Sequence, residues 1–310
     1  QKTAYEITRW LEFRRVLFRS NSSIASLSVL GLNSCTQLFR DVKITILHSN
    51  DVHSQIEPFP ENHNRFPNRG GFARRANIFE GIRSVNPNTL IFDAGDIFQG
   101  TPYFNFFQGE LELKLMKEMG YNAATIGNHE FDAGLDTLKK NILKTNFQFI
   151  VSNYDFVNTE LEGITTPYKI YKKEGVKIGV FGLGIELKGL VNPDLYKETK
   201  YYDPVEISYE MVKVLKNEKK CDLIICVSHL GHEYSSDKIS DTKLAKLTSG
   251  IDLIIGGHTH TFLKEPLILK NKNNDNVIIN QVGSGGVYLG RIDFNFTNSN
   301  KSNSNSILEV

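Results

Sequence analysis

The chain has 310 residues, 40% of them hydrophobic, enough for one large domain or two ordinary ones with a real core. Lys and Arg number 36 against 35 Asp and Glu, a net charge of +1, so composition gives no bulk electrostatic case for nucleic acid or a membrane surface. Three cysteines, Cys35, Cys221 and Cys226, exclude a disulfide framework.

The chain opens at Gln1, and "EFRRVLFRS" (12–20) looks like translated sequencing-adapter sequence, so residues 1–20 are treated as non-native and set aside. Residues 21–40 follow with "NSSIASLSVLGLNSC", small and apolar but too short to span a bilayer. The run reads as the remnant of an export signal, with "LNSC" as a loose lipobox that would lipidate Cys35. The expectation is an exported protein, periplasmic or held to a membrane by a lipid at Cys35; the bland alternative is an ordinary apolar helix.

From residue 41 to 297 one pattern recurs. A short β-rich apolar run ends and polar residues follow at once: "VKITIL" then "HSNDVH", "NTLIF" then "DAGD", "YNAATI" then "GNHE", "DLIICVS" then "HLGH", "IDLIIG" then "GHTH". Near-continuous Ile, Leu and Val suit strands covered on both faces. Between them, 70–84, 109–120, 133–144, 203–219 and 241–250 carry apolar residues at helical spacing, with Gly120 and Gly250 as stops. Residues 167–184 read as a hairpin turning at Glu174-Gly175, and 265–296 as three strands without a helix. Alternating strands and helices with a β-rich close predict an α/β fold on mixed sheets, one catalytic domain over 41–297, and a polar, disordered tail over 298–310. Cys221 and Cys226, around "CDLIICVSH", read as core thiols.

Functional groups in α/β folds gather beyond the C-terminal strand ends. Five such ends carry similar cargo: Asp51 and His53, Asp96, Asn128, His229, then His258 and His260. On extended backbone, the two-residue spacing of D-x-H and H-x-H would put both side chains on one side. These seven N and O donors, without a thiolate, exceed what one cation needs and suit two sharing a carboxylate. Mixed imidazole and carboxylate donors favour Zn, Mn, Fe, Co or Ni over Ca or Mg. Two such ions about 3.5–4 Å apart are the usual clamp for attack on phosphorus, supplying a bridging hydroxide near neutral pH. His48, inside a strand, reads as core; His63, in a Pro/Asn-rich loop, as solvated; His232, in "HLGHE", as a support for the ligands rather than a catalytic residue.

The order D-x-H, G-D, G-N-H-E, H, G-H-x-H resembles the calcineurin-like metallophosphoesterases, and "LHSNDVHS", "GNHEFD" and "GGHTH" resemble their 5′-nucleotidase/UDP-sugar hydrolase branch. The resemblance covers roughly 42–296 and implies a four-layer αββα sandwich of two mixed sheets. It implies Asp51, His53 and His260 on one metal, Asn128, His229 and His258 on the other, and Asp96 bridging. It also implies a catalytic pair, His129 and Asp132, with Asp132 on the first helical turn orienting the imidazole and favouring its protonated form. Glu130 is expected to cap the turn or support the ligands.

The branch usually carries a second, C-terminal domain that grips the nucleotide, and its residues have no counterpart here. Three functions therefore stay open: a dimetal phosphomonoesterase for 5′-nucleotides, alone or with a separate nucleotide-binding protein; a dimetal hydrolase of a cyclic nucleotide, nucleotide sugar or thiosulfonate; and a non-catalytic partner-binding module. The intact ligand set argues against the third.

Overall fold

The first apolar run folds as β1 (Val42–Ser49), in which every residue but Lys43 is buried. A strand covered in that way needs protein on both faces. In the computed structural model, which describes residues 41–297 and 301–310, β1 lies inside a six-stranded mixed sheet. β2 (Thr89–Asp93) runs parallel beside it, followed by the two-residue strands β3 (Ala123–Ala124) and β4 (Gln148–Phe149). On its other side lie β13 (Tyr288–Phe296) and β14 (Lys301–Glu309), each antiparallel to its neighbour.

The second six-stranded sheet runs β11 (Leu267–Lys270), β12 (Asn276–Asn280), β10 (Leu253–Ile255), β9 (Leu223–Ser228), β7 (Val176–Leu183), β6 (Tyr168–Lys173). β6 and β7 form the expected hairpin, with Glu174 (φ 45°) and Gly175 (φ 90°) both left-handed, as a tight two-residue turn demands. A small ribbon joins β5 (Tyr154–Asp155) to β8 (Lys200–Tyr201).

Period-two alternation builds the layers. Ile44, Ile46, Leu90 and Phe92 meet Ile178, Val180, Ile225, Val227, Leu253 and Ile255 between the sheets. The intervening Phe181, Ile224, Cys226 and Ile254 face outward and pack with Leu215, Leu244 and Ala245 from the helical layer. Cys221 and Cys226 are buried free thiols, as expected of core residues. The helices are α1 (Phe72–Val85), α2 (Pro102–Phe107), α3 (Glu110–Met119), α4 (Gly134–Ile142), α5 (Pro193–Tyr196), α6 (Pro204–Val212) and α7 (Asp241–Leu247). The expected four-layer αββα arrangement is what forms. α6 widens into a π-helical stretch over Lys213–Glu218, so one predicted helix is two geometries. Gly120 (φ 72°) ends α3 as expected. Gly250 does not end α7: Thr248 turns extended three residues after Ala245, and its hydroxyl donates to Leu244 O at 2.7 Å.

The tail departs from expectation. The Asn/Ser-rich end is a strand from Lys301 to Glu309, paired with β13 from Phe296↔Lys301 to Tyr288↔Glu309. Ladder bonds are made by the backbone and do not require apolar side chains. Val310 pins the end, its N–H donating to Val287 O at 3.0 Å while Gly70 N donates to Val310 O at 2.8 Å. The domain therefore reaches past 297. The adapter-like, export-signal and lipobox readings, Cys35 included, fall on residues 1–40, outside the described residues. Among the described residues, no helix is long and apolar enough to cross a membrane.

Candidate metal centre

Five strands of the two sheets deliver their C-terminal ends to one place. β1 brings Asp51 and His53, β2 brings Asp96, β3 leads to Asn128 and His129, β9 ends at His229, and β10 leads to His258 and His260. Parallel pairing of β1, β2 and β3, and of β9 with β10, aligns those ends. Donor atoms of Asp51, His53 and His260 lie within 4.8 Å of one another, as do those of Asp96, His229 and His258. Asn128 joins the second group: its Oδ1 is 2.9 Å from His258 Nδ1. Backbone bonds lock the loops together. Asp51 N donates to Gly95 O at 2.9 Å and His53 N to Asp96 O at 3.0 Å. Across the sheets, His258 N donates to Asp51 Oδ1 at 2.9 Å.

The sequence matches the calcineurin-like phosphoesterases over residues 44–262. The chain belongs to that family. Among curated proteins, the snake venom 5′-nucleotidase of Gloydius brevicauda is 32% identical over 86% of this chain and 48% of its own length. The 5′-nucleotidase of Vibrio cholerae serotype O1 is 32% identical over 83% of this chain and 49% of its own. Among solved structures, the 5′-nucleotidase precursor of Thermus thermophilus superposes with a TM-score of 0.78 at 29% identity, over 87% of this chain and 55% of that one. The chain thus spans about half the length of these relatives.

A family site for two metal ions fits the donors present. His229 is fully buried and its Nδ1 donates to Ala94 O at 2.6 Å. That fixes Nε2 as the atom turned to the centre, 3.1 Å from Asp96 Oδ2 yet without the alignment of a hydrogen bond, so it is an orphaned buried nitrogen. Burial opposes charge on this ring, but Asp96 draws it up to about 10, the pull a carboxylate exerts on a proton or a shared cation alike. His53 Nε2 and His260 Nε2 face each other at 2.8 Å, a contact that a common electrophile relieves. Burial raises Asp51 well above the ordinary carboxylate range and lowers His258 to about 3, so a neutral imidazole is offered.

Asp51 and His53 share one candidate group, His258 and His260 fall in different ones, and the extended backbone expected of both motifs does not form. Asp51 (φ 49°), His53 (φ 51°), His258 (φ 74°) and His260 (φ 51°) are left-handed rather than extended, as is Asp96 (φ 53°). Such backbone costs roughly 1–2 kcal/mol per residue and clusters where function over-determines it. Gly127 shows how close the packing is: a Cβ there would lie 2.3 Å from Asp96 Oδ1 and 2.8 Å from His229 Nε2.

His129 and Asp132 pair through Nδ1 and Oδ2 at 2.7 Å. His129 opens a 3-10 turn, His129–Phe131, and Asp132 caps its end, ahead of α4 rather than on the helix itself. The hydrogen bond that His129 Nδ1 donates to Asp132 is the main influence raising His129, against burial. His129 also lies within donor reach of His53 and Asp96, but its Nδ1 is committed to Asp132.

Glu130 does more than cap a turn. It is fully buried, and its Oε2 accepts from Asp96 N at 2.9 Å and Gly127 N at 2.6 Å, its Oε1 from Ile97 N at 2.7 Å and Phe98 N at 3.2 Å. One carboxylate thereby sews the Asp96 loop to the Asn128 turn. Burial, then Asp96, pushes it up to about 7, while the four N–H groups favour the ionised form. Asn50 escaped the sequence reading. Its Nδ2 donates to Asp51 Oδ2 at 2.5 Å and Gly283 O at 2.7 Å, and its Oδ1 accepts from Val282 N at 3.0 Å. Its place between a strand and Asp51 was the available signal.

The other histidines divide. His48 is fully buried with Nε2 3.0 Å from Asn280 Nδ2, as a core residue should be. His63 is not simply solvated: Phe66 N donates to its Nδ1 at 2.9 Å, and the Phe59 ring lies tilted beside it with centroids 4.5 Å apart. Neighbouring aromatics, spaced three and four residues away, recruit it. His232 stays outside the candidate metal groups, half-buried, its N–H donating to Thr259 Oγ1 at 3.0 Å.

Proposed function

We propose that the chain is a dimetal-dependent phosphomonoesterase of the 5′-nucleotidase type. The observation that carries this is the convergence of seven donor side chains with the His129–Asp132 pair beside them. Asp51, His53 and His260 would hold one ion, Asn128, His229 and His258 the other, with Asp96 between. The ions, when bound, supply an activated water and neutralise phosphoryl oxygens. Asp132 keeps the Nδ1 proton of His129 and leaves Nε2 to face the ester. From there His129 donates to a phosphoryl oxygen or to the departing alkoxide. Glu130 and Asn50 hold the ligands in place.

Nucleotide specificity draws, in this reading, on a further domain of the kind the longer relatives have room for, in the same polypeptide or in a separate protein. The substrate is a small-molecule phosphoester, not nucleic acid. Export, to the periplasm or to a lipid anchor at Cys35, is part of the proposal. A wider ester scope is the second reading. It is favoured by a Bacillus subtilis protein, 31% identical over 82% of this chain and 18% of its own length, described as a trifunctional nucleotide phosphoesterase.

The test is metal content and turnover on one preparation of the full chain. Substrates are p-nitrophenyl phosphate, AMP and bis-p-nitrophenyl phosphate, with His129→Ala as control. About two metals per chain and His129-dependent turnover are expected. A folded, metal-free protein that binds neither Zn nor Mn sinks the reading, and preference for the diester replaces it with the second.

A further inference from the structure

The turn from His258 to His260 carries a candidate donor for each ion, His258 beside Asp96 and His229, His260 beside Asp51 and His53. Both residues are left-handed, and the His260 side chain is 46% exposed. With so much of its surface in solvent, the His260 ring is placed by the backbone of the turn more than by packing.

One buried amide holds that backbone. β12 runs parallel to β10 with Asn280 opposite Ile255, so Gln281 leaves its strand level with the start of the turn. Gln281 is fully buried. Its Nε2 donates to Gly257 O, just before the two histidines. Its Oε1 accepts from Thr261 N at 2.6 Å, just after them, and from Thr259 Oγ1 at 2.9 Å, between them. Only a group that donates and accepts at the end of one side chain can close the turn in this way. Thr259 Oγ1 accepts in turn from His232 N at 3.0 Å, which ties the turn to the loop after His229. The next residue along reaches the first sheet: Val282 N donates to Asn50 Oδ1 at 3.0 Å, and Asn50 Nδ2 donates to Asp51 Oδ2 at 2.5 Å.

We propose that Gln281 is a positioning residue that sets the separation of the two metal ions. By gripping the turn on both sides of His258 and His260, its amide fixes the distance between a donor for one ion and a donor for the other. Val282 and Asn50 refer that distance to Asp51. Separation matters because a two-ion clamp on a phosphoryl group works at about 3.5–4 Å. The proposal rests on the dimetal reading above and adds which residue spaces the pair.

Titration of the full chain with Mn or Zn alone reads stoichiometry and affinity. Electron paramagnetic resonance of the Mn-loaded protein reads whether two ions lie close enough to couple. Gln281→Met keeps the length of the side chain and removes every bond of the amide; Thr259→Val removes one of them. Leu215→Ala opens a cavity in the outer helical layer and controls for lost stability alone. Gln281→Met should bind at least one of the two ions about 10–100-fold more weakly, the scale of losing a group that orients a metal ligand. Its coupled Mn signal should give way to the hyperfine-resolved spectrum of isolated ions. Thr259→Val should lose less in the same direction, and Leu215→Ala should keep both affinity and coupling. Wild-type affinity and coupling in Gln281→Met, or equal losses in Leu215→Ala, overturn the role of Gln281. If Gln281→Met does not fold, unchanged affinity and coupling in Thr259→Val overturn it instead. Wild type that binds fewer than two ions of either metal overturns the dimetal reading, and the spacing role falls with it.

Discussion

Asp132 Oδ2 lies 2.7 Å from His129 Nδ1, three residues back along a single 3-10 turn. The carboxylate fixes which ring nitrogen faces the cleft. Asp132→Asn keeps the size but offers an amide that can no longer stabilise a charged imidazole. We expect kcat for AMP to fall about 10–100-fold with metal content unchanged, since general-acid contributions run to about 10²–10⁴. Unchanged kcat, or a parallel loss of metal, would show that the pair does something else.

Glu130→Gln removes one charged acceptor from under four backbone N–H groups and sets an amide N–H₂ against some of them. Stability should drop by about 2–4 kcal/mol, and retained metal should drop with it because the Asp96 and Asn128 loops are no longer sewn together. Urea unfolding and metal analysis of the same sample check both. Wild-type stability would mean that the carboxylate is replaceable by water.

Gly127→Ala places a methyl 2.3 Å from Asp96 Oδ1. The neighbour is a buried carboxylate of the candidate centre rather than a flexible surface chain, so the centre itself must shift. Activity should fall about 100-fold or more, as expected when a misplacement near 1 Å reaches the reacting groups. Far-ultraviolet dichroism should remain wild-type. An active, metal-replete Gly127→Ala protein would show the Asp96 loop to be pliable.

Acid should act through His48. Burial lowers this imidazole from 6.5 to about 3. The unfolded chain therefore takes up a proton that the fold refuses, and the contribution present above pH 6.5 is lost as pH falls towards 3. Between pH 7 and 4.5 the loss is roughly 2–3 kcal/mol. Urea midpoints of chelated wild type and His48→Asn should converge over that interval; parallel lines would place the acid sensitivity elsewhere.

What the sequence made legible was set by where side chains do the deciding. β1, β9 and β10 announce themselves because both faces are buried and each is rich in Ile, Leu and Val. β3 and β4 are two residues long and carry no period to detect. β14 reads as solvated because Lys301–Ser306 is polar, yet its pairing is made by backbone groups that every residue has. At the centre, donor identities were readable from "DVH", "GNHE" and "GHTH", but left-handed backbone at Asp51, His53, His258 and His260 leaves no mark in composition. Neither do the long-range roles of Glu130 and Asn50, which depend on loops distant in the chain, such as those of Asp96 and Gly283.

The centre draws Asp51, His53, Asp96 and Asn128 from one sheet and His229, His258 and His260 from the other. An ion gripped from both sides is a rivet through the sandwich. Its binding free energy is then also a free energy of holding the two sheets in register, and a ligand that favours the folded chain adds RT ln(1 + [L]/Kd) to its stability. The melting temperature should climb with free metal concentration, and the same rivet that positions the donors should set how much the strand ends can drift apart.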